Sequence, residues 1–232
     1  MSVKIFEKEL NKRISEHMLA NNFRKKKYGF YKELDDNNYG IVEFSKIKYK
    51  APGCIFIVPH IGLLNIEVER IFLKLTGFDK LKVIAPTIHL PIGYIMAENK
   101  YKEWEFVQGV DNDAVFMDMF KTIDQHTPLF WNKFKTRDTL FEAYRNAKGI
   151  LSVAGLEYLP ILYFLKGEKE KGLACIQENI KRMSTPIPAK GDWNAIFNEN
   201  QKGRFTSGHN GQVDPAYTAF AYEYEQLITN DL

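Results

Sequence analysis

The sequence predicts an α+β fold: an antiparallel meander sheet of four to five strands, flanked by an N-terminal helix and packed against a helical C-terminal half. Three observations predict it. Between Asn22 and Gly62 a helix-like segment gives way to three strand-like runs, separated by Asp35-Asp36-Asn37-Asn38 and Ala51-Pro52-Gly53; turn residues at such spacing read as a meander. The third run, Cys54-Ile55-Phe56-Ile57-Val58, is apolar at every position, as a central strand covered on both faces requires. After Pro128 the pattern becomes wholly helical. Strands first and helices later exclude the strand–helix alternation of a parallel sheet.

The first helix is marked by Val3, Phe6, Leu10, Ile14 and Met18 at three- and four-residue spacing and ends near Asn21-Asn22. Strands are expected at 27–34, 39–49 and 53–62, with one or two more within 80–107, at Val83–His89 and Tyr101–Val107. Residues 63–77 carry Leu64, Val68, Ile71, Phe72 and Leu75 in a helical period. Asp111 is the expected N-cap of a helix through Val115, Phe116, Met119, Phe120 and Ile123. Thr139-Leu-Phe-Glu142 has the form of a capping box for the helix of Leu140, Phe141 and Tyr144. Leu156–Leu165 and Leu173–Met183, separated by Lys166-Gly167-Glu168, read as a helical hairpin. Residues 184–214 are loop-rich, and Asp214-Pro215 opens a last helix with Tyr217, Phe220, Ala221, Tyr224 and Ile228 on its buried stripe.

At 232 residues the chain can bury one large core, so a single domain 1–232 is expected, with a sheet-containing half 1–110 and a mainly helical half 111–232. Seventeen Phe and twelve Tyr point to a core of large rings. Two Cys, Cys54 and Cys175, are too few for a disulfide framework. The N-terminus MSVKIFEKELNKRI is charged from the start and lacks the apolar stretch of a secretion signal, so a cytoplasmic protein is expected. Charge is uneven: residues 1–50 hold 12 Lys/Arg against 7 Asp/Glu, whereas the remaining residues are net acidic.

Phe23-Arg24-Lys25-Lys26, the aromatic pair Phe30-Tyr31 and Glu43-Phe44-Ser45-Lys46-Ile47-Lys48-Tyr49 follow the first helix in order. With the strand Cys54–Gly62, Trp104 and a helical Leu140–Ala147, this order resembles an uncharacterised bacterial family of unknown function, over roughly residues 5–180. Asn22 stands where that family carries Gly, Glu43 where it carries Asn, and Pro59 where it tends to carry a polar residue. The resemblance implies no catalytic residue. Members of such families are found beside secreted toxins, so it implies an immunity protein whose partner is a cognate toxin.

Read from the residues, chemistry is sparse. None of His17, His60, His89, His126 and His209 has a Cys, His, Asp or Glu at a metal-ligand spacing, so no metal or cofactor is expected. Thr206–Gly211 lacks the strand-and-helix context of a nucleophile elbow. Glu98, Glu103, Glu105, Asp111, Asp113 and Asp118 lie in one 21-residue window around Trp104 and form the candidate surface for a basic protein partner. Arg24, Lys25, Lys26 and Lys27 beside Tyr28, Phe30 and Tyr31 form the alternative, a basic–aromatic cluster of the kind that meets nucleic acid. The leading expectation is a non-enzymatic protein that occludes a toxin; the alternatives are nucleic-acid binding and an enzyme whose site is assembled from distant residues.

Overall fold

The structure, a computed structural model, describes residues 3–27, 29–48, 51–77, 86–146, 156–184 and 213–230. The chain divides into two compact units, Met1–Asn65 with Ile88–Lys135, and Ile66–Thr87 with Thr136–Leu232. The fold is α+β, with an antiparallel sheet in the first unit and helices in both. These units do not coincide with 1–110 and 111–232: residues 66–76 group with the later helices, and 113–134 with the sheet. No helix among the described residues is long and apolar enough to cross a membrane.

In the first unit, α1 (Val3–Ala20) buries Phe6, Leu10, Ile14 and Met18 at four-residue steps. Val3, expected on that stripe, is exposed in the first turn, ahead of the packed part of the helix. Asn22 ends the helix with a φ of 64°. The Phe23 and Asn22 amides then return to the Met18 and Leu19 carbonyls at 3.1 Å each, the pairing of a Schellman cap. Asparagine can do there what glycine usually does, and the turn aims the following lysines along a sheet edge.

The sheet has six strands: β1 (Arg24–Lys25), β2 (Phe30–Asp35), β3 (Asn38–Ile47), β4 (Cys54–Asn65), β5 (Ile88–Pro91) and β6 (Trp104–Val107). They follow one another in order from β1 to β5, with β6 also paired to β4. β4 is central, with β3 along one side and β5 and β6 along the other, which explains its unbroken apolar run. It is longer than the expected 53–62. Gly62, Leu63, Leu64 and Asn65 stay extended because each has a partner on β3, from Ile41 to Asn38. The helix expected from 63 therefore begins at Ile66. The expected strand at Val83–His89 is seen as β5; residues 83–85 lie outside the described residues.

Helix α3 (Asp113–Phe134) lies on this sheet through Trp131. The indole Nε1–H donates to the Gly62 carbonyl at 2.9 Å. Its ring occupies the space a side chain at Gly40 would need, since a Cβ there would stand 2.4 Å from it. The N-cap of α3 is Asn112, not Asp111. The Asn112 side chain ties back to Val107 at 2.9–3.0 Å. Asp111, one residue outside, accepts the Asp113 amide at 2.8 Å. Pro128, after which the sequence reads as wholly helical, sits inside α3. Burial of Phe130, Trp131 and Phe134 beyond it holds the helix together, against the lost amide that would otherwise end it.

The second unit contains α2 (Ile66–Thr76), α4 (Arg137–Arg145), α5 (Tyr158–Leu165), α6 (Lys169–Ser184) and α7 (Pro215–Asn230). The cap of α4 is Thr136, whose hydroxyl accepts the Thr139 amide at 3.2 Å. The expected Thr139–Glu142 box is thus one turn too late, because the helix already contains Thr139. α5 and α6 form the expected hairpin. Tyr224 of α7 closes the unit by donating to the Pro160 carbonyl at 3.1 Å. Gly172 leaves room for that phenol, since a Cβ there would stand 1.9 Å from its oxygen. Asp214 accepts the Ala216 amide at 2.8 Å and opens α7, with Tyr217, Phe220, Ala221 and Tyr224 buried. Ile228, expected on the same stripe, is half-buried. Of the loop-rich 184–214, residues 185–212 lie outside the described residues.

Replacing Gly40 by Ala forces the Trp131 ring off its seat. Overpacking of this kind costs about 1–3 kcal/mol, and loss of the indole hydrogen bond adds about 1 kcal/mol. Gly53→Ala, in open space at φ 73°, costs only the left-handed penalty of about 1–2 kcal/mol. Urea unfolding followed by tryptophan fluorescence is expected to rank Gly40→Ala below Gly53→Ala; the reverse order would remove Trp131 as the seat of α3.

Candidate functional site

The basic cluster opens onto a cleft of about 180 Å³ between α1, the β1–β2 turn and β3. Lys25, Lys26, Lys27 and Lys46 line it, with Asn11, Ser15 and Phe30 among its walls. Strand register makes this possible. Lys25 is opposite Phe30 on β2, and Phe30 stands edge-on to Phe44 with ring centroids 5.9 Å apart. Lys46 lies two residues beyond Phe44, on the same face of β3.

Each cation is partly oriented. Lys25 Nζ donates to Ser15 Oγ at 2.9 Å and lies 5.6 Å from the Phe30 ring centre. Lys26 stands over Tyr31 at 4.7 Å and Tyr39 at 5.6 Å. Lys46 donates to Glu7 at 3.2 Å and to the side-chain amide oxygen of Asn11 at 2.5 Å. Glu7 also accepts from Lys48 at 2.6 Å, and that hydrogen bond, with Lys46, holds its carboxyl below the usual range despite partial burial. Neither Lys25 nor Lys26 has a carboxylate partner among the described residues. The cleft lining contains no carboxylate or imidazole. Its chemistry is that of an oxyanion receptor: ammonium donors, a hydroxyl and an amide, without a nucleophile or base. Arg24 is exposed on the same edge strand. Tyr28 lies outside the described residues.

The acidic window is arranged differently. Trp104 is buried, and its Nε1–H donates to Asp118 at 2.7 Å. Lys102 meets the same carboxylate at 3.3 Å and lies 4.5 Å over the Trp104 ring. The indole bond, then Lys102 and Lys121, hold the Asp118 carboxyl below its ordinary value. Asp113 pairs with Arg13 at 2.6 Å, Asp111 caps a backbone amide, and Glu103 accepts from the Tyr101 hydroxyl at 2.9 Å. Glu98 is exposed, and Glu105, also exposed, meets the Cys54 thiol. The structure therefore gives most of these carboxylates internal partners.

Sequence reasoning missed two features. One is the contribution of Asn11, Ser15 and Lys46 to the lysine cleft, which only the docking of α1 reveals. The other is a polar row across the sheet. Glu43 is directly opposite His60, and the His60 and His89 rings are 6.2 Å apart. Burial pushes the Glu43 carboxyl up and both imidazoles down, His60 further lowered by His89. All three lean toward their neutral forms. Among the described residues no group of three His, Cys, Asp or Glu is placed to hold a metal ion.

Asp118→Ala leaves the Trp104 indole without its acceptor, and is expected to lower stability by about 1 kcal/mol at pH 7, a modest figure because the carboxylate is well exposed. The sign with pH follows from a depressed folded-state pKa: the contribution is present above the unfolded carboxyl value and fades as pH falls through the folded one. Urea unfolding of wild type and variant at pH 7 and near pH 3 checks both statements; an equal difference at both pH values would contradict the second.

Protein-family models, curated proteins and solved structures were each compared with this chain, and none matches it.

Proposed function

We propose that the protein is a non-enzymatic binding protein that takes the phosphates of a nucleic acid in its lysine cleft. The observation that carries this reading is that Lys25, Lys26, Lys27 and Lys46 line one concave site without a carboxylate in its lining, the Lys25 ammonium lying on the Phe30 face of the cleft and the Lys26 ammonium over Tyr31 and Tyr39 on the other face of the sheet. Phosphate neutralisation by Lys releases counterions and needs no base-specific contact.

The reading gives a salt law. Neutralising three phosphates of a single strand makes the log–log slope of affinity against salt about −2. Fluorescence anisotropy with a mixed-sequence oligonucleotide should give that slope between about 50 and 200 mM salt. The Lys25→Glu, Lys26→Glu, Lys27→Glu triple variant should bind about tenfold more weakly or worse, with a flatter slope. No binding by the wild type at the lower salt would overturn the proposal.

A second reading, an immunity-type protein that occludes a basic toxin, is supported by a separate patch. At the start of α3, Val110 is 57% and Met117 72% exposed, in the same stretch of chain as the exposed Asp111 and Asp113. An apolar centre with an acidic rim suits a basic protein, the rim setting on-rate more than affinity. Met117→Glu tests it without disturbing the Asp113–Arg13 and Asp118–Trp104 pairs. Toxin encoded beside the gene should lose association with that variant on gel filtration; unchanged complex formation would remove the patch as the interface.

A further inference from the structure

The second unit buries a carboxylate that has no counterion among the described residues. Glu69 of α2 is 3% exposed. Its Oε1 accepts from the Thr87 hydroxyl at 2.9 Å, while Oε2 has no hydrogen-bond partner. The Tyr158 phenol lies beside the carboxyl. Tyr158 is itself boxed in, stacked on Phe72 at 5.0 Å and tilted against Tyr144 at 5.5 Å between ring centroids. The Tyr144 hydroxyl donates to the Thr87 carbonyl, so one short network links α2, the segment at Thr87, α4 and α5.

The groups that face Glu69 are all neutral or acidic. From α4 comes Tyr144, from α5 Tyr158 with the half-buried Glu157 at its start, and from the 86–87 segment Thr87. α7 also packs on α2, and its buried face carries Tyr217, Phe220 and Tyr224. On α2 itself, Glu67 points out to Arg137 at 3.5 Å. Among the described residues no Lys, Arg or His acts on the Glu69 carboxyl. A buried polar atom left unpaired costs about 1–3 kcal/mol, and more when it is charged, so such an arrangement calls for an explanation.

We propose that Glu69 is a proton-operated latch: protonated, it lets α2 seat against α4 and α5, and ionised, it makes α2 withdraw to hydrate the carboxylate. The geometry favours the neutral acid, because both phenols and the aromatic walls exclude water while no cation compensates the charge. Burial accordingly pushes the carboxyl up to about 7, with the hydroxyls of Tyr158 and Thr87 beside it opposing. A carboxyl held high in the folded state stabilises it most below the unfolded value, and that advantage is lost as pH rises toward the folded one. The latch is therefore closed in mildly acidic conditions and loosens through neutrality.

The test compares wild type with Glu69→Gln, which keeps shape and one donor but cannot ionise. Urea unfolding of the full chain between pH 5 and 8 isolates Glu69 as the ratio of the two unfolding constants, because Glu157, Glu43 and the histidines titrate in both proteins. A shift from about 4.5 to about 7 changes that ratio by up to about 300-fold, part of it already below pH 5. A change of about 30-fold or more, with the variant the more stable at pH 8, is the expected result. A smaller change overturns the latch. Should the variant not fold, the wild type alone decides: the carboxyl carbon-13 resonance of Glu69 should titrate with a midpoint above about 6, and a lower midpoint overturns the proposal.

Discussion

The indole of Trp131 needs a strand position without a side chain and a strand carbonyl to receive its proton, and Gly40 and Gly62 supply them on adjacent strands. Those two demands leave α3 one place to stand. Once it stands there, its outer turns organise the rest of the first unit. Asp113 holds Arg13, the Arg13 guanidinium lies 4.0 Å over Phe116, and His17 stacks on Phe120 at 3.9 Å while meeting Asp124. These contacts fix α1 along α3. The exposed ion pairs among them are weak individually, but the ring contacts are packed and set the register. α1 in turn carries Asn11 and Ser15 to the lysines of the sheet edge, so the cleft depends on an indole that does not touch it.

The sequence announced the meander, the central strand and the last helix because each rests on local signals: turn residues, an unbroken apolar run, and Asp before Pro. It misplaced boundaries where two local signals compete. Leu64 and Val68 fit a helical period, yet Leu64 is a strand residue because its partner Tyr39 on β3 is already in place. Asp111 and Asn112 can both cap. The structure uses Asn112, since its amide alone can both donate to and accept from Val107. Thr136 and Thr139 compete in the same way. The candidate sites were legible in part: Lys25–Lys27 stand together in the chain, whereas Lys46 joins them through register and Ser15 through helix docking. Nothing in the spacing of Trp104 and Asp118 shows that one donates to the other. Glu43, His60 and His89 form a row only once three strands are aligned.

Charge is handled by opposite means at the surface and in the interior. Glu7, Asp118, Asp138 and Glu168 each meet lysine, and their carboxyls are pulled down by those hydrogen bonds or, for Asp118, chiefly by an indole. Glu43, Glu69 and Glu157 are drawn up by burial, with no cation set against them. An interior that offers phenols and hydroxyls in place of ammonium groups favours the protonated acid, since a lone buried charge is far more costly than a neutral hydroxyl. The second unit therefore takes up a proton where a surface site would take up a lysine.

The basic residues Arg24 and Lys25 of β1 also answer a structural need, one compatible with the proposed phosphate binding. β1 is a two-residue strand at the open end of the sheet, where unpaired backbone groups invite another strand. Lysine on a short edge strand is a common defence, because a second strand would have to desolvate the ammonium groups. A phosphate chain makes no such demand: it meets the ammonium groups while they remain hydrated and needs no ladder of backbone hydrogen bonds. Rings beneath Lys25 and Lys26 orient the cations without neutralising them. An edge that repels strands can thus remain open to polyanions, and Glu7 pairs only with the two lysines that lie toward the far end of β3.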